Sequence, residues 1–470
     1  MRGLYPTFGR RQEASGGCRE HRGAATLIPL GLALVLVGAG VADPPPLIEA
    51  AKGGDWEAVG VLLEQGADVT ATAPDGATAL HWASYWDDVA TAALLIRAGA
   101  DVCAANDLGA TPLWIASLNG SASMTRTLLD AGADPNAALL SGESPVMTAA
   151  RTGSPRVVDQ LLAAGADPNA RATRGQTALM WAASQMHSDV VGVLLEHGAD
   201  IDARSETWSQ VMAIPPHSNP ANQQNVPHGG NTALTFAARV GDLSSARMLV
   251  NAGADVNDAD ARGVSATVLA VHSGFGDLAE FLLNEGADPS AAEGGFSALH
   301  LAILRRDEGL GRLLLAKGAD PNARITNWTP TRRASADLYV HPALVGATPF
   351  WLAARFTQPG FMRLLAENGA DPLFVHEVHY VTAAGSYGAA GTDESTTALM
   401  AAVGMGGTRR MRSFVAADPA ELEFLTLEAV RLAVELGVDV DATDLQGRTA
   451  GEARGYASVR EFLAEEAARR

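Results

Sequence analysis

Residues 78–102 read TALHWASYWDDVATAALLIRAGADV. Three rings, Trp82, Tyr85 and Trp86, fall within five residues of a chain whose aromatic content is only 6%. Whether they form a site or a core depends on what the stretch is a copy of. Its opening, T-x-L-x-x-A, returns whole or degenerate at Thr111, Ser144, Thr177, Thr232, Ser265, Ser297, Thr348, Thr397 and Thr449, at spacings of 33, 33, 33, 55, 33, 32, 51, 49 and 52. The base period is therefore 33 with four insertions, the signature of a stacked array. Its close, an apolar pair followed by Gly-Ala-Asp, marks the other end of each unit, as in LLEQGAD and LLDAGAD.

Each conserved position within the period has a physical reason. Glycine stands two residues before the Thr or Ser in nine of the ten copies, Gly76 and Gly109 among them, where a turn needs positive φ. The Thr or Ser is a helix N-cap. Pro112, Pro145 and Pro349 follow it at the first helical position, where a missing N–H costs nothing. A short helix with Leu and Ala on its buried side comes next, then a second helix carrying the Leu-Leu stripe and closed by a left-handed glycine such as Gly66, Gly99 or Gly132.

Period and motif resemble the ankyrin repeat, over about residues 47–463 and about eleven units. The resemblance implies an all-α solenoid of stacked helix-turn-helix units with projecting turn fingers. It also implies a concave groove that binds protein partners. The first unit lacks the Thr motif and the last is shorter and more charged than the rest; both read as caps. With ~10 Å between packed helix layers, the array spans on the order of 100 Å.

Aligned on the period, Trp82 and Trp181 fall in a column that also holds Ile115, Phe236, Leu269, Leu301 and Leu352, and they read as packing between units. Tyr85 and Trp86 fall in columns of mixed polarity that the resemblance places along the groove. Leu118, Arg151, Arg239 and Arg355 share those columns. Two readings of the ring pair are open: interface anchors, or cover for the poorly packed edge of the first unit.

The chain organises as repeats over 43–203, 230–323, 346–372 and 396–470, with insertions at 204–229, 324–345, 373–395 and, inside the last block, 404–422. Insertions this long are functional or disordered. The first three carry Trp208, Trp328, Tyr339 and Tyr380, which join the partner-binding set, and the fourth carries a basic spot, Arg409, Arg410 and Arg412.

The first 42 residues differ from the rest. Arg2, Arg10, Arg11, Arg19 and Arg22 precede an apolar run, 24–42, ending in Gly40-Val41-Ala42. This reads as a signal peptide cut before Asp43, with export to the periplasm or beyond; an uncleaved membrane anchor is the alternative. The formal charge is −19, and losing five arginines and two glutamates with the leader leaves −22. That opposes nucleic acid and anionic membrane surfaces as partners. Two distant cysteines, Cys18 and Cys103, allow neither a disulfide framework nor a zinc knuckle.

No phosphate loop, nucleophile elbow or dinucleotide fingerprint is present. The one histidine pair at ligand-like spacing is HEVHY, residues 376–380. The expectation is a monomeric, cofactor-free binding scaffold for a protein partner, with no small-molecule substrate. The competing reading is an enzyme or metal site built by the insertions around His341, His376, Glu377 and His379; convergence of those side chains would favour it. A third is a tethered spacer.

Overall fold

The computed structural model describes residues 45–213, 223–328, 340–381, 391–406, 418–453 and 455–469. The chain divides into two compact units, Met1–Asp43 and Pro44–Arg470. The first, with the basic leader and the apolar run, lies outside the described residues, as do Tyr339 and the arginines at 409, 410 and 412.

The second unit is a stack of helix pairs. α1 (Pro46–Gly53) and α2 (Trp56–Glu64) open it, followed by α3 (Ala79–Tyr85) with α4 (Val89–Arg97) and α5 (Pro112–Asn119) with α6 (Ala122–Asp130). Then come α7 (Pro145–Thr152) with α8 (Pro155–Ala163) and α9 (Ala178–Ser184) with α10 (Ser188–Glu196). Beyond the first insertion lie α11 (Ala233–Val240) with α12 (Leu243–Asn251), α13 (Ala266–Ser273) with α14 (Gly276–Asn284), and α15 (Ala298–Arg305) with α16 (Glu308–Ala316). The pairs α17 (Pro349–Arg355) with α18 (Pro359–Glu367) and α19 (Ala398–Ala402) with α20 (Pro419–Glu435) follow. The last unit replaces its first helix by a 3-10 turn, Ala450–Glu452, and ends in α21 (Ala457–Arg469).

First helices of seven or eight residues are too short to persist alone. They are held by their neighbours: α3, α5, α7, α9 and α11 each pack on the next, and the second helices do the same. The result is one continuous apolar core from Leu47 to Leu463. Trp82 and Trp181 pack against it, as their column predicts.

The local code works as read. Thr111 Oγ1 accepts from the Trp114 N–H at 3.2 Å, and Thr177 from Met180 at 3.4 Å. Gly109 has φ +82°, and a Cβ there would also meet the backbone of the next finger, Leu140 N at 3.1 Å and Ala138 O at 3.2 Å. Glycine is thus required twice over, by conformation and by contact. His81 and His300 add a second cross-link. Their Nδ1 atoms accept the N-cap N–H of Thr78 and Ser297, both at 3.1 Å. The proton therefore sits on Nε2, which donates to the carbonyl of Ala110 at 2.9 Å and of Ala323 at 3.1 Å.

The Gly-x-Asp carboxylates are structural. Asp134 accepts the N–H of Asn136, whose amide donates to Gly165 O at 2.9 Å and accepts from Asp167 N at 2.8 Å. Asn169 and Asn322 repeat the stitch.

Among the described residues two insertions add strands to the helical stack. In the first, β1 (Trp208–Ala213) pairs antiparallel with β2 (Gln223–His228), Trp208 opposite His228. In the third, β3 (His376–Val381) pairs with β4 (Gly391–Thr396), Tyr380 opposite Thr392. The fourth ends earlier than the 404–422 boundary predicts, because α20 already begins at Pro419 and extends the second helix of its unit to 17 residues. Among the described residues no helix is long and apolar enough to cross a membrane.

Candidate functional site

The seventh and eighth residues after each N-cap close the first helices and line up from unit to unit. The stripe runs Lys52-Gly53, Tyr85-Trp86, Leu118-Asn119, Arg151-Thr152, Ser184-Gln185, Arg239-Val240, His272-Ser273, Leu304-Arg305 and Arg355-Phe356. Cross-unit bonds fix its continuity. Trp86 Nε1 donates to Lys52 O at 3.2 Å, Asn119 Nδ2 to Ser84 O and Tyr85 O at 3.0 Å, and Arg305 Nε to His272 O at 3.1 Å.

At the N-terminal end Tyr85 and Trp86 are 55% and 52% exposed, and Leu118 is 38% exposed. The rings brace one another edge to face, Trp82 to Tyr85 at 5.8 Å and Tyr85 to Trp86 at 5.3 Å. Trp86 also covers Gly54 of the first unit. It both closes that edge and presents half its surface outward, so the two readings of the pair describe one side chain.

The stripe arginines are braced to the fingers. Arg151 pairs with Glu143 at 2.9 Å; Arg239 donates to Asn231 and lies 4.0 Å from Asp260. Arg151 and Arg239 keep a third to a half of their side-chain surface exposed. Arg355 is more enclosed: burial draws its pKa down, against the pull of Glu394 and Tyr380.

The insertion aromatics divide. Trp208 is 37% exposed, with the Arg174 guanidinium over its ring at 4.3 Å and the His228 ring stacked on it at 5.5 Å. It packs at the hairpin base and is only partly open to a partner. Trp328 is partly buried. Tyr380 is a correction. It is 3% exposed, and its hydroxyl donates to Glu394 Oε1 at 2.6 Å. Strand alternation turns it inward, so it fastens the hairpin and is not a surface anchor.

The same alternation separates the histidine pair. His376 and Tyr380 face inward, Glu377 and His379 outward. His376 is buried, tilts against the Trp351 ring at 4.2 Å and donates from Nε2 to Val345 O at 2.9 Å. Exposed His379 bonds Asp393 at 2.7 Å. His341 accepts the Ala343 N–H and meets the Tyr380 ring edge-on at 6.1 Å. Burial lowers the pKa of both His341 and His376. The set does not converge, and among the described residues no group of three or more metal-ligating side chains comes together.

Sequence reading missed a further feature of this face. The residue after the stripe pair is left-handed in every first-to-second helix turn from the first unit to the ninth. It is glycine at 54, 120, 153, 241 and 274 but Asp87, Met186, Arg306 and Thr357 elsewhere. Asp87 and Met186 project from the stripe's edge, Met186 with 55% of its surface exposed. The signal was available in the alignment, as a glycine column with four exceptions.

Comparison with known proteins gives the same architecture. The family described as ankyrin repeats (3 copies) matches residues 47–138, 137–205 and 234–325, more than half of the chain. A rat protein, ankyrin repeat and SAM domain-containing protein 6, is 36% identical over 89 residues, which are 18% of this chain and 10% of that protein, so the chain spans about a tenth of this relative's length. The crystal structure of the human ASB11 ankyrin repeat domain is similar over 52% of this chain and 98% of that one, at 29% identity and a TM-score of 0.43. With the family match extending over most of the helical stack, the chain belongs to the ankyrin repeat family.

Proposed function

We propose that the protein is an exported scaffold, a monomer without catalytic activity, that holds a protein partner along the first-helix stripe. The observation that carries this is the exposure of Tyr85, Trp86 and Leu118 at the end of a rigid, cross-braced row. Exposed aromatics on a fixed backbone have the composition of interface hot spots and lose little conformational entropy on binding. Ankyrin repeats are protein–protein interaction modules, which supports the same reading.

Photo-crosslinking tests it. A benzophenone amino acid at 85 or 118 is expected to trap a partner, whereas one at Asp130, at the end of a second helix, is not. Equal trapping at all three sites would refute the stripe as the binding face. Export rests on the basic leader and the apolar run before Asp43. N-terminal sequencing is expected to begin at Asp43; Met1 on a cytosolic protein would overturn it.

A further inference from the structure

The stripe has a charge opposite to that of the chain. The protein carries a formal −19, yet the eighteen stripe positions from Lys52 to Phe356 hold no Asp or Glu and five Lys or Arg: Lys52, Arg151, Arg239, Arg305 and Arg355. Three of these are matched by finger groups, Arg151 by Glu143, Arg239 by Asp260 and Arg355 by Glu394. Among the described residues the other two have only neutral partners. Lys52 lies over the Trp82 ring at 6.0 Å, and Arg305 donates to the carbonyl of His272. Neither makes an ion pair with a described residue. The finger pairs at Arg151 and Arg239 stay partly open to water, so a second carboxylate can reach them.

The spacing is informative. Stacked helices lie ~8–10 Å apart, and an extended chain rises ~3.3 Å per residue. A bound strand therefore passes one unit about every third residue. Exposed apolar surface on the stripe is concentrated near one end, on Tyr85, Trp86 and Leu118, and all the stripe cations but Lys52 follow from Arg151 onward.

We infer that the stripe receives an extended, carboxylate-rich polypeptide segment, its apolar end on Tyr85, Trp86 and Leu118 and its carboxylates facing Arg151, Arg239 and Arg305. This rests on the stripe being the binding face and names the class of partner. Charge complementarity carries the choice: on an acidic protein a basic row steers an anionic segment to this face and repels it from the others. A nucleic acid has the same sign, but it would bring one phosphate per nucleotide against the whole acidic surface.

Fluorescence anisotropy on the purified chain tests the inference. The probes are labelled 22-residue peptides with a Leu-Phe pair at either end and Glu at every third position, the same peptides with Gln or Lys for Glu, and a 20-nucleotide oligothymidylate. The acidic peptides are expected to bind at least tenfold more tightly than the Gln versions and to weaken at least tenfold between 50 and 300 mM salt. The triple variant R151Q/R239Q/R305Q is expected to lose at least tenfold in affinity for them, with circular dichroism and melting retained. No preference for Glu over Gln, an unaffected triple variant, or tighter binding of oligothymidylate would each overturn the acidic-segment assignment. Crosslinks at 85 and 118 that persist in that case leave the binding face standing, and their absence removes the face itself.

Discussion

At the scale of single residues, the chain spends stability in two places that can be measured. His300 is fully buried and neutral, its Nδ1 committed to the Ser297 N–H, and burial pulls its pKa from 6.5 to about 4. The unfolded chain therefore binds a proton that the folded chain refuses between those two values. The contribution is whole above pH 6.5, falls as pH drops towards 4 and is exhausted below that; it is on the order of 3 kcal/mol. His81 adds in the same direction. Denaturant midpoints between pH 7.5 and 4 are expected to fall, and H300Q, less stable at pH 7, is expected to fall less. Parallel profiles would show that His300 does not carry the linkage. Met186 is the second place. A side chain at φ +63°, where five other units use glycine, costs about 1 kcal/mol. M186G is expected to raise the denaturation midpoint by that order while weakening partner binding, because the side chain projects from the stripe's edge. A stabilised variant with undiminished binding would separate the strain from the interface.

At the scale of elements, the two hairpins show where sequence reading reaches its limit. The repeats were legible because every special position has its own chemistry: Gly109 for a left-handed turn, Thr111 for a cap, Pro112 for a first turn. The insertions have no period to align, so Tyr380 read as an exposed anchor and His376 with His379 as a pair. The alternation in HEVHYV carried the missing information, since a strand over 376–381 sends Tyr380 inward and splits the histidines. Two contacts then fasten this hairpin to the stack, the His376 ring on Trp351 and His376 Nε2 on Val345 O, while the Tyr380 hydroxyl on Glu394 ties β3 to β4. Y380F removes one bond to a carboxylate and leaves the ring in place, at a cost of about 1.5–3 kcal/mol. Hydrogen exchange in β4 is expected to accelerate by one to two orders of magnitude while that in α7 and α9 is unchanged. Unaltered exchange in β4 would mean the hydroxyl contributes nothing to holding the two strands together.

At the scale of the whole molecule, the core and the proposed binding surface occupy different parts of the same array. The core runs through the first insertion as though it were absent: α9 packs on α11, and α10 on α12. The chain enters and leaves the β1–β2 hairpin at one point, where the Ser205 N–H donates to Asn231 O at 3.0 Å and the Gly230 N–H to Ser205 O at 3.1 Å. Glu206 is held to the previous finger through Arg174 O at 2.8 Å, and Gly229 to the next through Ala261 N at 2.9 Å. These bonds lie below the hairpin, so Glu206 can be joined to Gly229 without disturbing either neighbour. Among the hairpin's described side chains only Val226 is buried, and Trp208 leans on Arg174 at the surface. Deleting 207–228 is therefore expected to cost about 2–3 kcal/mol and to lower the melting temperature by no more than a few degrees. Partner affinity is expected to fall by more than tenfold if the hairpin edge, with Trp208 and the 62% exposed Val211, meets the bound protein beside the stripe. Loss of folding would show that the hairpin belongs to the core. Full retention of both folding and affinity would confine recognition to the first-helix stripe.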